Sequence, residues 1–334
     1  MIEIIPFHNN PKIIWLDTNV INDMTDFIMC KPIDKIKKYR ASILLEKLQA
    51  LVNADKIICP FLKQRDEYIS TDVSEMSDTI LMYLSKGKQL KTYLTENLQM
   101  KRMMKLYLEK GNRFNMEKQD IPYYYEESEE ARKKSKERYG LSVTVLLTGG
   151  NKEILDRENE YLFNFLKKRK EELSQQNKTF DEVLCEELSS SSMLFDSGVK
   201  KIKKEFGYVK TNFEYLSAYY CRMYPLIAWQ KLTGKKDVDA VLNFLESDYF
   251  FAIPCEDIFC QLGAKILTDP SRNIVHGDCR DVRSLSLILP YASLIITDKA
   301  MKGAIQQLKL DKKYDTKIFS LNDFDNITKE LDKM

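Results

Sequence analysis

Near each end of this chain a short apolar run stops at an aspartate: Lys12-Ile13-Ile14-Trp15-Leu16-Asp17 and Ala292-Ser293-Leu294-Ile295-Ile296-Thr297-Asp298. A strand that is apolar at successive positions is buried on both faces, and such strands belong to parallel sheets covered by helices. Ligands of these sheets bind beyond the carboxyl ends of the strands. Each aspartate is therefore expected at a binding edge.

The flanking segments agree with that frame. Residues 36–53 place Ile36, Ile43, Leu44, Leu48 and Leu51 at helical spacing, and Lys56-Ile57-Ile58-Cys59-Pro60 reads as a second strand stopped by proline. Helical spacing returns over 61–83. After 246, Tyr249–Pro254 reads as a strand, 255–267 and 278–289 as helices, 299–308 as a helix and 316–321 as a last strand. Between 84 and 246 long charged segments with helical spacing dominate, among them 152–174 and 199–232. Breaks are expected at Gly111-Asn112, Gly149-Gly150-Asn151, Ser189–Ser192 and Thr233-Gly234. The expected architecture is α/β: a parallel sheet flanked by helices, assembled from residues 1–83 and 247–334, with an all-helical insertion over 84–246.

Composition removes several classes. The chain has 334 residues and balanced charge, 52 Lys+Arg against 50 Asp+Glu. It is no polyelectrolyte tail, and its apolar content supports a core. Low glycine and proline argue against an all-β fold. No apolar run reaches the roughly 18 residues of a membrane span, and no basic region precedes an apolar stretch at the N-terminus. Seven cysteines, an odd count in a long chain, suit a reducing compartment, so a cytoplasmic protein without a membrane partner is expected. With His8 and His276 the only histidines, chemistry here falls to carboxylates. Cys255, Cys260, His276 and Cys279 lie close in sequence, but the first two point from different helix faces, and small buried cysteines are the default reading.

Two acids at strand ends can converge. Asp281 lies near the start of the helix before the Asp298 strand, Asp278 one turn earlier, and Glu67 in the helix after the second strand. Clustered carboxylates need a counter-charge, and hard oxygen ligands suit Mg²⁺ or Mn²⁺. Each acid also has a plainer reading. Asp17-Thr18-Asn19, Asp278 and Asp298 can cap helices, Asp281 can complement a helix dipole, and Glu67 beside Asp66 can face solvent.

These motifs together resemble the PIN-like ribonucleases. Trp15-Leu16-Asp17-Thr18-Asn19-Val20 is similar to the family's first motif, and the Cys59-Pro60 strand end followed by Glu67 to its second. Asp281, then Leu289-Pro290-Tyr291-Ala292 and Ile295-Ile296-Thr297-Asp298, is similar to the placement of its third and fourth acids. The resemblance covers roughly 12–80 and 247–321 and departs from the usually compact family at the helical insertion. It implies a PIN-like fold and metal-dependent endoribonucleolytic cleavage of RNA by activated water. Asp17, Glu67, Asp281 and Asp298 would be the acidic set, Asp278 an accessory ligand, and Asn19 and Thr297 would orient carboxylates. A toxin-like or antiviral effector role follows by the same analogy. A dehalogenase-type phosphatase would need an acid where Asn19 stands, and no Walker-type loop is present.

Between residues 84 and 118 nine Lys/Arg face three Glu, with Tyr123-Tyr124-Tyr125 following. Lys101, Arg102 and Lys105 are candidate phosphate contacts, set against the reading of a solvated helix face. Arg283 and Lys299 are placed by position to meet a scissile phosphate. The insertion is the candidate surface for a regulatory protein or a second copy. The competing readings are a non-catalytic scaffold whose insertion binds protein or RNA, and a nuclease acting on single-stranded DNA.

Overall fold

The computed structural model describes residues 2–8, 10–62, 64, 74–117, 120–121, 123–124, 152–205 and 224–334. In chain order its strands are β1 (Glu3–Ile5), β2 (Lys12–Leu16), β3 (Ile57–Ile58), β4 (Gln89–Leu90), β5 (Arg113–Asn115), β6 (Tyr123–Tyr124), β7 (Leu294–Ile296) and β8 (Lys317–Phe319). The chain divides into two units, each built from separated segments. One comprises Phe7–Thr92, Ile121–Asn164 and Tyr291–Met334, the other Met1–Pro6, Tyr93–Asp120 and Phe165–Pro290. The division expected at 83/84 and 246/247 falls elsewhere. The helices over 254–288 belong to the same unit as most of the expected insertion, and the second part of the sheet unit begins at Tyr291.

The first unit holds a four-stranded, all-parallel sheet in the order β3-β2-β7-β8. Ile14, Trp15 and Leu16 of β2 pair with Leu294, Ile295 and Ile296 of β7. All are buried, which is why neither strand alternates apolar with polar. Helices Thr18–Ile28 and Lys35–Asn53 carry the chain from β2 outward to β3. Helices Lys299–Gln307 and Leu310–Lys313 carry it from β7 outward to β8 on the other side. The strand order therefore reverses between β2 and β7. On one face Ile14, Leu16 and Ile296 pack with Val20, Met24, Leu44 and Leu48 of the first two helices. Ile80 and Leu84 of helix Ser74–Ser85, and Phe324 and Ile327 of helix Phe324–Asp332, close that core. A short antiparallel pair, β4 with β6, joins the segment after β3, where Gln89 bridges Phe61 and the Leu90 N–H donates to the Phe61 carbonyl at 2.9 Å.

The described part of the second unit has only the parallel pair β1-β5 beside its helices. Helices Phe180–Glu205, Pro254–Thr268 and Asp278–Ile288 form its body, with Leu173, Val183, Ala264 and Leu267 at one centre. Tyr107, Trp229, Phe244 and Tyr249 build an aromatic cluster, with the Tyr107 and Phe244 rings edge to face at 5.5 Å. The Lys170 ammonium donates to the carbonyls of Ile266 and Asp269, satisfying the open C-terminus of helix Pro254–Thr268.

Two local expectations are corrected. Tyr249–Pro254 is not a strand. Asp248–Phe251 is a helical turn, and Pro254 opens the following helix at its first position instead of closing a strand. Ser189–Ser192 is no break either. It lies inside helix Phe180–Glu205, where Ser189, Ser190 and Ser192 donate to the carbonyls of Cys185, Glu187 and Ser189 and so take no part in competing turns. Gly149-Gly150-Asn151, Tyr125 and part of the expected helix over 199–232 lie outside the described residues. No helix among the described residues is long and apolar enough to cross a membrane.

Candidate active site

Asp17 and Asp298 follow the carboxyl ends of β2 and β7, the two strands that flank the reversal of strand order. That is the position where open α/β sheets form their binding crevice. The register places Leu16 opposite Ile296, and the Asp17 backbone N–H donates to the Ile296 carbonyl at 2.9 Å. Neighbouring strands lie about 4.8 Å apart, so Asp17 stands beside Thr297, and Asp298 is the next residue along the same edge.

Asp17 is 7% exposed. Its Oδ1 accepts the Thr18 backbone N–H at 2.6 Å, and its Oδ2 accepts the Thr297 hydroxyl at 3.1 Å. Thr297 is itself buried, and its hydroxyl is spent on Asp17. Asp298 is half-buried. Its Oδ1 accepts the backbone N–H groups of Ala300 and Met301 at 2.6 and 3.0 Å, while its Oδ2 has no hydrogen bond among the described residues. Both acids thus cap helices, and two helix N-termini, each carrying partial positive charge, share the edge with them. The caps relieve the repulsion between the carboxylates in part and leave at least one oxygen available.

Gln64 belongs to this site and was not foreseen. Its buried carboxamide donates to the Leu16 carbonyl at 3.2 Å and accepts the Leu62 N–H at 2.6 Å. It thereby fixes the last residue of β2, directly before Asp17. A glutamine at a helix start carries no signal of such a role; only its burial reveals it.

The remaining expected residues separate. Glu67 and Asp66 lie outside the described residues. Asn19 is exposed in the first turn of helix Thr18–Ile28 and makes no hydrogen bond among the described residues, so the orienting role expected of it is not seen. Asp281 lies in the first turn of helix Asp278–Ile288 in the second unit, with its Oδ2 folded back to 3.3 Å from where a Cβ on Gly277 would stand. Asp278 is corrected from accessory ligand to structural acid. It is fully buried, pairs with the Arg272 guanidinium and accepts the Val275 N–H at 2.8 Å.

The basic candidates divide in the same way. Arg283 is taken by Glu96 and stacks 5.6 Å from the Phe259 ring, so it is not presented to a phosphate. Arg102 is likewise corrected. It binds Asp120, Glu117 and the Asn115 carbonyl and lies 4.9 Å from the Phe114 ring, a closed arrangement within its own unit. Lys105 pairs with Glu109 at 3.7 Å along its helix. Lys101 is half-buried and Lys299 exposed, and neither has an ion pair among the described residues.

Among the described residues no group of three or more His, Cys, Asp or Glu side chains stands close enough to hold a metal ion. Cys255 and Cys260 are core residues whose thiols burial pushes well above their ordinary range. The donor chemistry of Asp17 and Asp298 still suits a hard cation, because Mg²⁺ commonly rests on one or two carboxylates and keeps its waters for substrate. No known protein family, characterised protein or solved structure matches the chain.

Proposed function

We propose that the protein is a metal-dependent endoribonuclease of PIN-like type, with Asp17 and Asp298 as its central acids. One observation carries this reading: Asp17 and Asp298 follow the carboxyl ends of two neighbouring strands at the reversal of strand order, and a buried threonine hydroxyl holds Asp17. Asp17 and Asp298 would hold Mg²⁺ or Mn²⁺; of the further acids that the resemblance implies, Asp281 belongs to the other unit and Glu67 lies outside the described residues. Such a cation supplies a counter-charge and lowers the pKa of water at the site. Thr297 orients Asp17, Gln64 fixes the strand end before it, and the paired helix N-termini favour the approach of an anionic backbone. Lys299, at the first position of its helix, is the cation of this unit best placed for a phosphate. The expected products carry 5′-phosphate and 3′-hydroxyl ends. A toxin-like or antiviral effector role is the biological extension, by analogy alone.

A second reading has its own support. Asp17 and Asp298 both make N-cap bonds, which is what acids do in a sheet with no turnover. In that case the α/β unit is a non-catalytic scaffold. Incubation of the full chain with labelled RNA and with labelled single-stranded DNA, in Mn²⁺ or in chelator, separates the readings. RNA cut only with metal, and not by Asp17→Asn or Asp298→Asn, supports the endoribonuclease. Cutting confined to DNA moves the substrate, and no cutting of either leaves the scaffold.

A further inference from the structure

A cavity of about 320 Å³ lies in the sheet-bearing unit, lined by Val20, Asp23, Met24, Asp34, Lys37, Arg40 and a few apolar neighbours. Its volume falls in the range of small-molecule sites, which begins at about 300 Å³. Val20 is in the first turn of the helix that Asp17 caps, and Leu321, also in the lining, follows the end of β8. Both residues lie just past carboxyl ends of strands, so the cavity stands at the sheet edge that carries the acids.

The polar groups of the lining are unequally committed. Lys37 pairs with Asp23 at 2.6 Å, and that contact holds the ammonium above its ordinary pKa. Asp34 caps helix Lys35–Asn53 with Oδ1 alone, accepting from Ile36 and Lys37, and its Oδ2 takes no hydrogen bond among the described residues. Arg40 pairs with no carboxylate among the described residues. Its guanidinium lies 5.8 Å from the Phe324 ring centre, and the Tyr39 ring, 62% exposed, lies 6.2 Å from the same ring. The lining thus includes a guanidinium that pairs with no carboxylate among the described residues and a carboxylate with one open oxygen, and the exposed Tyr39 ring neighbours Arg40 in sequence and shares its contact with Phe324. Arginine and aromatic side chains together match the pattern that holds unpaired nucleic-acid bases, and the carboxylate adds an acceptor for a base's amino group. A protein side chain would use the apolar walls but give Arg40 and Asp34 no reason to remain open at the edge that carries the acids.

We propose that this cavity is a nucleobase subsite, taking one unpaired base of the RNA strand beside the scissile phosphate. Arg40 meets the backbone phosphate, Tyr39 stacks at the mouth, and Asp34 accepts from an exocyclic amino group. The subsite rests on the nuclease reading but is tested by binding, apart from cleavage.

The test uses the full chain, either as Asp17→Asn or as wild type in chelator, and a short unstructured fluorescent RNA read by anisotropy. Tyr39→Ala and Arg40→Ala are expected to weaken binding about five- to a hundredfold, with Arg40→Lys in between. Circular dichroism confirms that each variant is folded. An abasic residue walked along the RNA is expected to weaken binding at one position, and that loss should overlap with the Tyr39→Ala loss instead of multiplying it. Asp34→Asn, which keeps the cap, should remove a preference for amino-bearing bases over uracil. Equal binding of a matching DNA oligonucleotide supports a base pocket that ignores the sugar. Wild-type RNA binding that none of these variants changes beyond twofold overturns the subsite and leaves the nuclease reading intact. RNA bound with this Arg40 dependence but never cut in Mn²⁺ supports the subsite and removes the nuclease. Absence of both binding and cutting overturns both.

Discussion

The Thr297 hydroxyl donates to Asp17 Oδ2 at 3.1 Å across 280 positions of sequence. Both residues are buried, so the bond is sheltered from water, and each group would lose its partner if the other were changed. It joins the ends of β2 and β7 and sets the rotamer of the acid most central to the proposed chemistry.

Thr297→Val tests that relationship. It keeps the shape and removes the donor, leaving a buried carboxylate oxygen short of one bond. Stability should fall by about 1–3 kcal/mol, seen as a lower urea midpoint. Cleavage, if present, should drop about ten- to a hundredfold through the misplaced acid. A variant as stable and as active as wild type would show that the hydroxyl does not position Asp17.

Gln64→Leu strips the Leu16 carbonyl and the Leu62 N–H of their side-chain partner while filling the same space. The expected loss is about 1–3 kcal/mol. Any cleavage should decline through the rate and not through binding of RNA. Unchanged thermal melting would mean that water takes over both groups.

The assignment of Asp278 to structure is open to a direct test. Arg272→Met leaves Asp278 as an unpaired buried charge, for an expected loss of about 3–5 kcal/mol. Adding Asp278→Asn should restore part of it. If instead Asp278→Asn alone abolishes cleavage while denaturation is unaltered, the acid serves the reaction and the ion pair is incidental.

Stability should also depend on pH through Glu256. Burial pushes its carboxyl above the ordinary value of 4.5, with Arg283 pulling the other way. Between that value and the raised folded one the folded chain binds more protons than the unfolded, so stability declines as pH rises through the window. Glu256→Gln removes this part of the decline. The variant should melt higher than wild type at about pH 7 and level with it at about pH 4. A lower melting temperature at the higher pH would show that the ionised carboxylate contributes more through Arg283 than its burial costs.

What was readable in the chain follows the range of the forces involved. The runs ending in Asp17 and Asp298 were legible because a doubly buried strand must be apolar at successive positions. Helix Lys35–Asn53 was legible because one face repeats every three to four residues. The strand expected at Tyr249–Pro254 misled for the same reason, since short apolar runs occur in buried helices too. Arg102 and Lys101 look alike in sequence, yet one is closed off by Asp120, Glu117 and Phe114 and the other has no ion pair among the described residues. Charge alone says nothing about partners that the fold delivers.

Local order alone therefore determined β2, β3, β7 and β8, the caps at Asp17 and Asp298, and the carboxyl ends at which these acids appear. These depend on residues within a few positions of one another. Tertiary structure decided that β2 lies beside β7, that Thr297 reaches Asp17, that Gln64 holds Leu16, and that Asp278 is enclosed with Arg272. Those outcomes depend on which faces bury against which, a choice made by the whole core and written at no single position.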